Sequence, residues 1–158
     1  MTESITRILV PVDFSACSDQ AVHYAATLAG QVGAAVELIH VVEDPFASGV
    51  FTAEIYVPNV PDMIQGFIND ATTRLASLKA SMFPHGADVD TAVVVGRAAH
   101  TIVEYAKGQG YDLIVMGTHG RTGVTHLFMG SVAERVVRTS PCAVLTVRSQ
   151  GHAAAKAA

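Results

Sequence analysis

Asp112-Leu-Ile-Val-Met116-Gly117-Thr-His-Gly120-Arg-Thr-Gly-Val-Thr-His-Leu-Phe-Met-Gly130-Ser131 carries the chain from a strand into a helix. Its first five residues are a mostly apolar run of the kind that forms a buried strand. Val132-Ala-Glu-Arg-Val-Val-Arg138, directly downstream, sets apolar residues at helical spacing. Ordinary strand-to-helix connections run about 2–6 residues, and this one is roughly twice as long. Glycine lets backbone amides approach a ligand with no Cβ in the way. A helix N-terminus adds unpaired donors and the positive end of a dipole, which together suit phosphate. The plainer alternative is a glycine loop that only turns the chain.

The same alternation extends outward from this stretch in both directions. Ile5–Val12 reads as a first strand, ended by Pro11 and Asp13. Ser15 or Ser18 can cap the helix that follows, in which Ala21, Tyr24, Ala25, Leu28 and Ala29 recur at helical spacing; Gly33 ends it. Ala35–Val42 is a second strand. Glu43–Val60, with Pro45, Gly49 and Pro58, is a loop. Pro61 suits a helix start, with Met63, Phe67, Ile68, Ala71, Leu75 and Leu78 as its apolar stripe. Val89–Val95 is a third strand, a short helix carries Ile102, Val103, Tyr105 and Ala106, and Cys142–Val147 is a fifth strand. This order predicts an α/β fold: an open parallel sheet with right-handed crossovers and helices on both faces. The continuous apolar strands agree, since parallel strands are buried on both sides.

Gly117, Gly120, Gly130 and Ser131 form the pattern Gly-x-x-Gly, nine residues, Gly-Ser. That pattern resembles the ATP-binding branch of the universal stress protein family. Arg7-Ile-Leu-Val-Pro11-Val-Asp13-Phe-Ser15 looks like the family's first strand and its aspartate. Gly130-Ser-Val-Ala-Glu-Arg-Val-Val-Arg138 and Ser140-Pro-Cys-Ala-Val-Leu-Thr-Val-Arg148 look like its last helix and strand. The resemblance runs over about residues 5–148. It weakens at Gly96-Arg97-Ala98-Ala99 and in the loop from Asp44 to Val60. It implies strand order 3-2-1-4-5, one domain over residues 1–148, and a bound ATP with magnesium. With that order the winding reverses between strands one and four, and ligands of open α/β sheets bind outside the carboxyl ends of strands at such a point. Asp13 and Gly117 would then meet in one crevice.

Pro11, Val12 and Asp13 end the first strand and are expected at the nucleotide. Asp13 has three candidate roles there: acceptor for ribose or base, ligand to phosphate-bound magnesium, or a plain turn former. Val12, Val41 and Met116 would form the adenine slot, or simply core. Gly117, Gly120 and Gly130, with Ser131 and the amide of Val132, would hold phosphate, and Ser131 also suits a helix cap. His119 and Arg121 lie inside the loop, where Arg121 either pairs with phosphate or is a solvated charge. Gly-x-Gly-x-x-Gly is absent, and no lysine precedes Gly130-Ser131 as a Walker loop would require. No histidine pair has metal-ligand spacing, and His23 and His40 have no assignable partners.

The chain has 158 residues, half of them apolar, 6% aromatic and no Trp, with a net charge of −4. That charge argues against a nucleic-acid backbone as main partner. Cys17 and Cys142 make no disulfide framework, the N-terminus has no signal-peptide pattern, and no apolar run reaches about 18 residues. These features predict a cytoplasmic protein that does not span a membrane. The tail 149–158 is low in complexity and is expected to be disordered. Cys142-Ala-Val-Leu-Thr-Val147 would be an uninterrupted edge strand, which predicts a homodimer paired through it. Three functions compete: a nucleotide-dependent stress-response and signalling module, a slow ATPase or autophosphorylating phosphotransferase, and a nucleotide-free protein-interaction module. The intact glycine pattern counts against the last, and the missing lysine and base count against the second.

Overall fold

The computed structural model describes residues 4–45, 59–120 and 129–148. Arg121 and the rest of the loop to residue 128, most of the connection after strand two, and the tail 149–158 lie outside the described residues. The elements are β1 (Arg7–Pro11), α1 (Ala16–Val32), β2 (Ala35–Val42), α2 (Val60–Met82), β3 (Val89–Val95), α3 (Ala98–Gln109), β4 (Leu113–Gly117), α4 (Ser131–Thr139) and β5 (Ala143–Val147). They form one five-stranded sheet in the order β3-β2-β1-β4-β5. Every pairing is parallel. The α/β class, the strand order and the helices on both faces are those expected from the sequence.

Strand residues alternate between two cores, as the pleat requires. Ile8, Val10, Val36, Leu38, Leu113 and Val115 pack against Ala21, Val22 and Ala25 of α1 and Leu75 of α2. Leu9, Ile39, Ile114 and Met116 face Ile102, Val103 and Ala106 of α3 and Ala133 and Val136 of α4. Small alanines on α1 and α3 let those helices lie close to the strands. Ser15 caps α1 by accepting from Ser18 N, and Gly33 closes it at φ 73. The apolar stripe expected on α2 holds only in part. Ala71 and Leu75 are buried, but Phe67 is 49% exposed, because the first half of α2 stands at the cleft described below rather than on the sheet.

Two polar devices fasten the amino ends of the strands. Asp112 Oδ2 accepts from Thr6 N at 2.8 Å, Thr6 Oγ1 at 2.7 Å and Arg7 N at 2.9 Å, tying the start of β1 to that of β4. The hydrogen bond from the Thr6 hydroxyl, with those from the two amides, holds the Asp112 carboxyl below its ordinary value. On β2, Glu37 accepts from the hydroxyls of Tyr105, at 2.7 Å, and Tyr111.

Burial, then the Glu37 hydrogen bond and charge, raise Tyr105 from its ordinary 10.0 to about 12. The fold therefore favours the neutral phenol. That contribution is complete below about pH 10 and is lost as pH climbs through about 12. In urea titrations the stability difference between wild type and Tyr105→Phe should be constant below about pH 10 and shrink above it. A difference that stays flat through that range would remove Tyr105 as the titrating group.

Candidate functional site

The reversal of winding between β1 and β4 leaves a cleft of about 520 Å³ at the carboxyl ends of the strands. Small-molecule pockets typically span about 300–1,000 Å³. Pro11, Val12, Asp13, Val41, Met116, Gly117, His119, Gly120, Gly130, Ser131 and Val132 all line it. Every site residue named from the sequence is thus brought together, apart from Arg121, which lies outside the described residues.

Asp13 follows the last residues of β1. Its Oδ1 accepts from Ser15 N at 3.0 Å and from Ser15 Oγ at 2.5 Å, the geometry of an Asx turn that starts α1. Oδ2 lies against Gly120, where an added Cβ would stand 2.8 Å away. Asp13 therefore serves the turn with one oxygen and presents the other to the glycine loop. Between Asp13 and Ser15, Phe14 takes φ 62, the left-handed region that costs a non-glycine residue about 1–2 kcal/mol. Such strain collects at functional sites, where surrounding structure enforces it.

The glycines divide the work. A Cβ on Gly117 would come within 2.8 Å of Cys17 Sγ and 3.1 Å of the Cys17 backbone, so this glycine admits α1 against β4. At Gly130, a Cβ would meet Thr118 O at 3.2 Å. The Gly130 amide donates to that same carbonyl at 2.7 Å, bringing the two ends of the loop together. Because the chain turns at Gly130, α4 begins at Ser131, and Gly130, not Ser131, is the N-cap. Among the described residues no side chain caps α4. Its first turn closes with Glu134 N donating to Gly130 O at 2.9 Å, so the amides of Ser131, Val132 and Ala133 have no partner within the helix. Such an end presents N–H donors and the positive end of the helix dipole.

Thr118 is only 3% exposed. Its amide donates to Val147 O at 2.9 Å, and its hydroxyl is hydrogen-bonded to His119 Nδ1 at 2.8 Å. His119 Nε2 is buried and has no hydrogen-bond partner among the described residues. Val41 and Met116 join the α3/α4 core with Ile39 and Ile102, all of them lining the apolar side of the cleft. Val12 packs in the α1/α2 core, on the opposite face of the sheet from Val41 and Met116, and lines the cleft from that side.

A second wall comes from residues that sequence reasoning did not single out. Phe67, Asp70, Ala71 and Arg74 of α2 line the cleft at i, i+3, i+4 and i+7 spacing. Arg74 lies 4.0 Å over the ring of Phe14, and that ring is 4.6 Å from His40. His40 Nδ1 donates to Val12 O at 2.7 Å, so this histidine does have partners. Among the described lining residues Asp13, Glu43 and Asp70 are acidic, and Arg74 is the one Lys or Arg. The 67–70–71–74 spacing was the available signal, but it reads equally as core. No group of three His, Cys, Asp or Glu among the described residues could hold a metal ion by itself.

An open parallel sheet with a glycine-loop cleft at its switch point defines a class of α/β proteins that hold ligands at strand ends. The family model described as the universal stress protein family matches residues 4–148, and the chain belongs to that family. Universal stress protein MJ0531 of Methanocaldococcus jannaschii is 34% identical over 143 residues, covering 90% of this chain and 81% of the relative. The solved structure of protein MJ0577, from the same organism, superposes with TM-score 0.80 at 26% identity, over 94% of this chain and 99% of that one. Two further universal stress protein structures, one in complex with cAMP and one from Archaeoglobus fulgidus in complex with dAMP, share the fold at TM-score 0.60 and 22% identity. They cover 92% and 91% of this chain and 98% of their own.

Gly117→Ala should destabilise the protein by about 1–3 kcal/mol, since the added methyl meets the Cys17 backbone as well as its sulfur. Urea denaturation checks this. An unchanged midpoint would mean that α1 can withdraw without loss.

Proposed function

We propose that this protein binds ATP, with magnesium, in the switch-point cleft, and that it serves as a nucleotide-dependent stress-response and signalling module in the cytoplasm. The observation that carries the reading is the closeness of Gly120 to Asp13 beside the uncapped N-terminus of α4. A side chain at 120 would fill the space in which backbone amides and a carboxylate converge. The residues fit the group. Ile39, Val41, Ile102 and Met116 offer an apolar surface to a base, and Ser131 and Val132 offer backbone donors to phosphate, while Gly120 and Gly130 leave room for its approach. His119 Nε2, which has no partner among the described residues, adds a polar atom beside them. Asp13 is the carboxylate for a magnesium ion, which commonly binds through one or two carboxylates plus phosphate oxygens and so needs no cage of protein ligands. The cAMP and dAMP complexes of two family members give the fold a precedent for adenine nucleotides.

Gly120→Ala should push the Asp13 carboxylate aside and lower ATP affinity at least tenfold, about 1.4 kcal/mol, without loss of folded signal. Titration calorimetry in magnesium buffer measures it. A folded Gly120→Ala protein with wild-type ATP affinity would overturn the ATP reading.

The proposed assembly is a homodimer through β5. Among the described residues this strand pairs only with β4, at the sheet's end, and its residues are exposed or half-buried. Val137 of the adjacent α4 is exposed as well. An unpaired apolar edge is an aggregation hazard unless covered, and a twofold copy pairing the same strand covers it. Light scattering should give twice 16.5 kDa for the wild type and a shift toward monomer for Val144→Lys. A wild-type monomer at micromolar concentration would exclude this dimer.

A further inference from the structure

We infer that Arg74 is the specificity-determining residue for the distal phosphates of the nucleotide, so that it separates ATP from AMP. The inference rests on the ATP reading above and assigns a role that the glycine pattern does not contain. Gly120 lies against Asp13 Oδ2, Phe14 follows Asp13 in the chain, and the Arg74 guanidinium sits 4.0 Å over the Phe14 ring. These residues form a continuous row across the cleft, from the phosphate loop to α2. The apolar slot that suits a base belongs to the α3/α4 face, while α2 packs on the opposite face with α1. A base in that slot with its first phosphate at the N-terminus of α4 leaves any further phosphates to extend along the row, toward Arg74.

Charge points the same way. The described lining carries three carboxylates and one guanidinium, so each added phosphate enters an acidic rim in which Arg74 is the opposing fixed charge among the described residues. Its ion pair with Asp70 is long, at 3.7 Å, with both side chains well exposed, so little holds the guanidinium away from a better partner. Stacking on Phe14 fixes its plane and limits the rotamer freedom lost when it pairs with an anion. Phe14, the residue beneath the guanidinium, has a left-handed backbone.

Calorimetry with ATP, ADP and AMP on the full chain tests this, using wild type, Arg74→Lys and Arg74→Met. Methionine keeps an apolar stem on Phe14 and removes the charge; lysine keeps the charge. Arg74→Met should weaken ATP about fivefold or more while leaving AMP within about twofold, and Arg74→Lys should recover most of the ATP affinity. Raising salt should weaken ATP binding more in wild type than in Arg74→Met. Equal losses for ATP and AMP would make Arg74 a base or ribose contact and overturn the inference. An unchanged ATP affinity in Arg74→Met would overturn it while leaving the ATP reading intact. Wild-type protein that binds none of the three nucleotides would overturn both.

Discussion

The pairing of β1 with β4 is the constraint on which the rest depends. Those strands are joined by their ladder and by the Asp112 clamp on Thr6 and Arg7 at their amino ends. Side by side, they place Asp13 and Gly117 at neighbouring strand ends, and Gly120, three residues beyond β4, then lies against Asp13. The winding reverses at this pair, with α1 and α2 on one face and α3 and α4 on the other, so the crevice opens there. Without the pair, Asp13 would cap a turn and the glycines would bend a loop, with no common space between them.

Much of this was legible in the sequence because strand and glycine signals are local. The Gly117–Gly120–Gly130 spacing and the strand before it fixed the loop's position, and Asp13 at a strand end fixed its counterpart. What stayed hidden is set by orientation. Phe67 reads as core because its spacing matches Ala71 and Leu75, yet the helix axis carries it past the sheet. Val12 reads as a neighbour of Val41, but the pleat turns it to the other face. His40 and Phe14 find each other across two strand ends, and no periodicity announces a ring beside a left-handed backbone. Ser131 reads as a cap because serine favours that position, whereas the Gly130–Thr118 hydrogen bond moves the boundary by one residue.

The three glycines also show that one motif can answer separate physical demands. Gly117 makes room for α1, Gly120 for the approach of Asp13, and Gly130 for the closure of the loop on Thr118. All three line the cleft, yet each answers its own demand, helix packing, the approach of a carboxylate or the path of the chain, and a change at each should fail in its own way.

The Asp112–Thr6 hydrogen bonds span 106 residues of sequence. Closing a loop of that size costs entropy before any contact rewards it, and such pairings tend to form late and slowly. During synthesis, β1, β2 and β3 emerge before β4, so the switch-point edge of β1 waits for that strand. The crevice has one side until that strand arrives. An occupied cleft is in this sense a certificate of completion: only a chain that has joined its two halves can present both walls to a ligand.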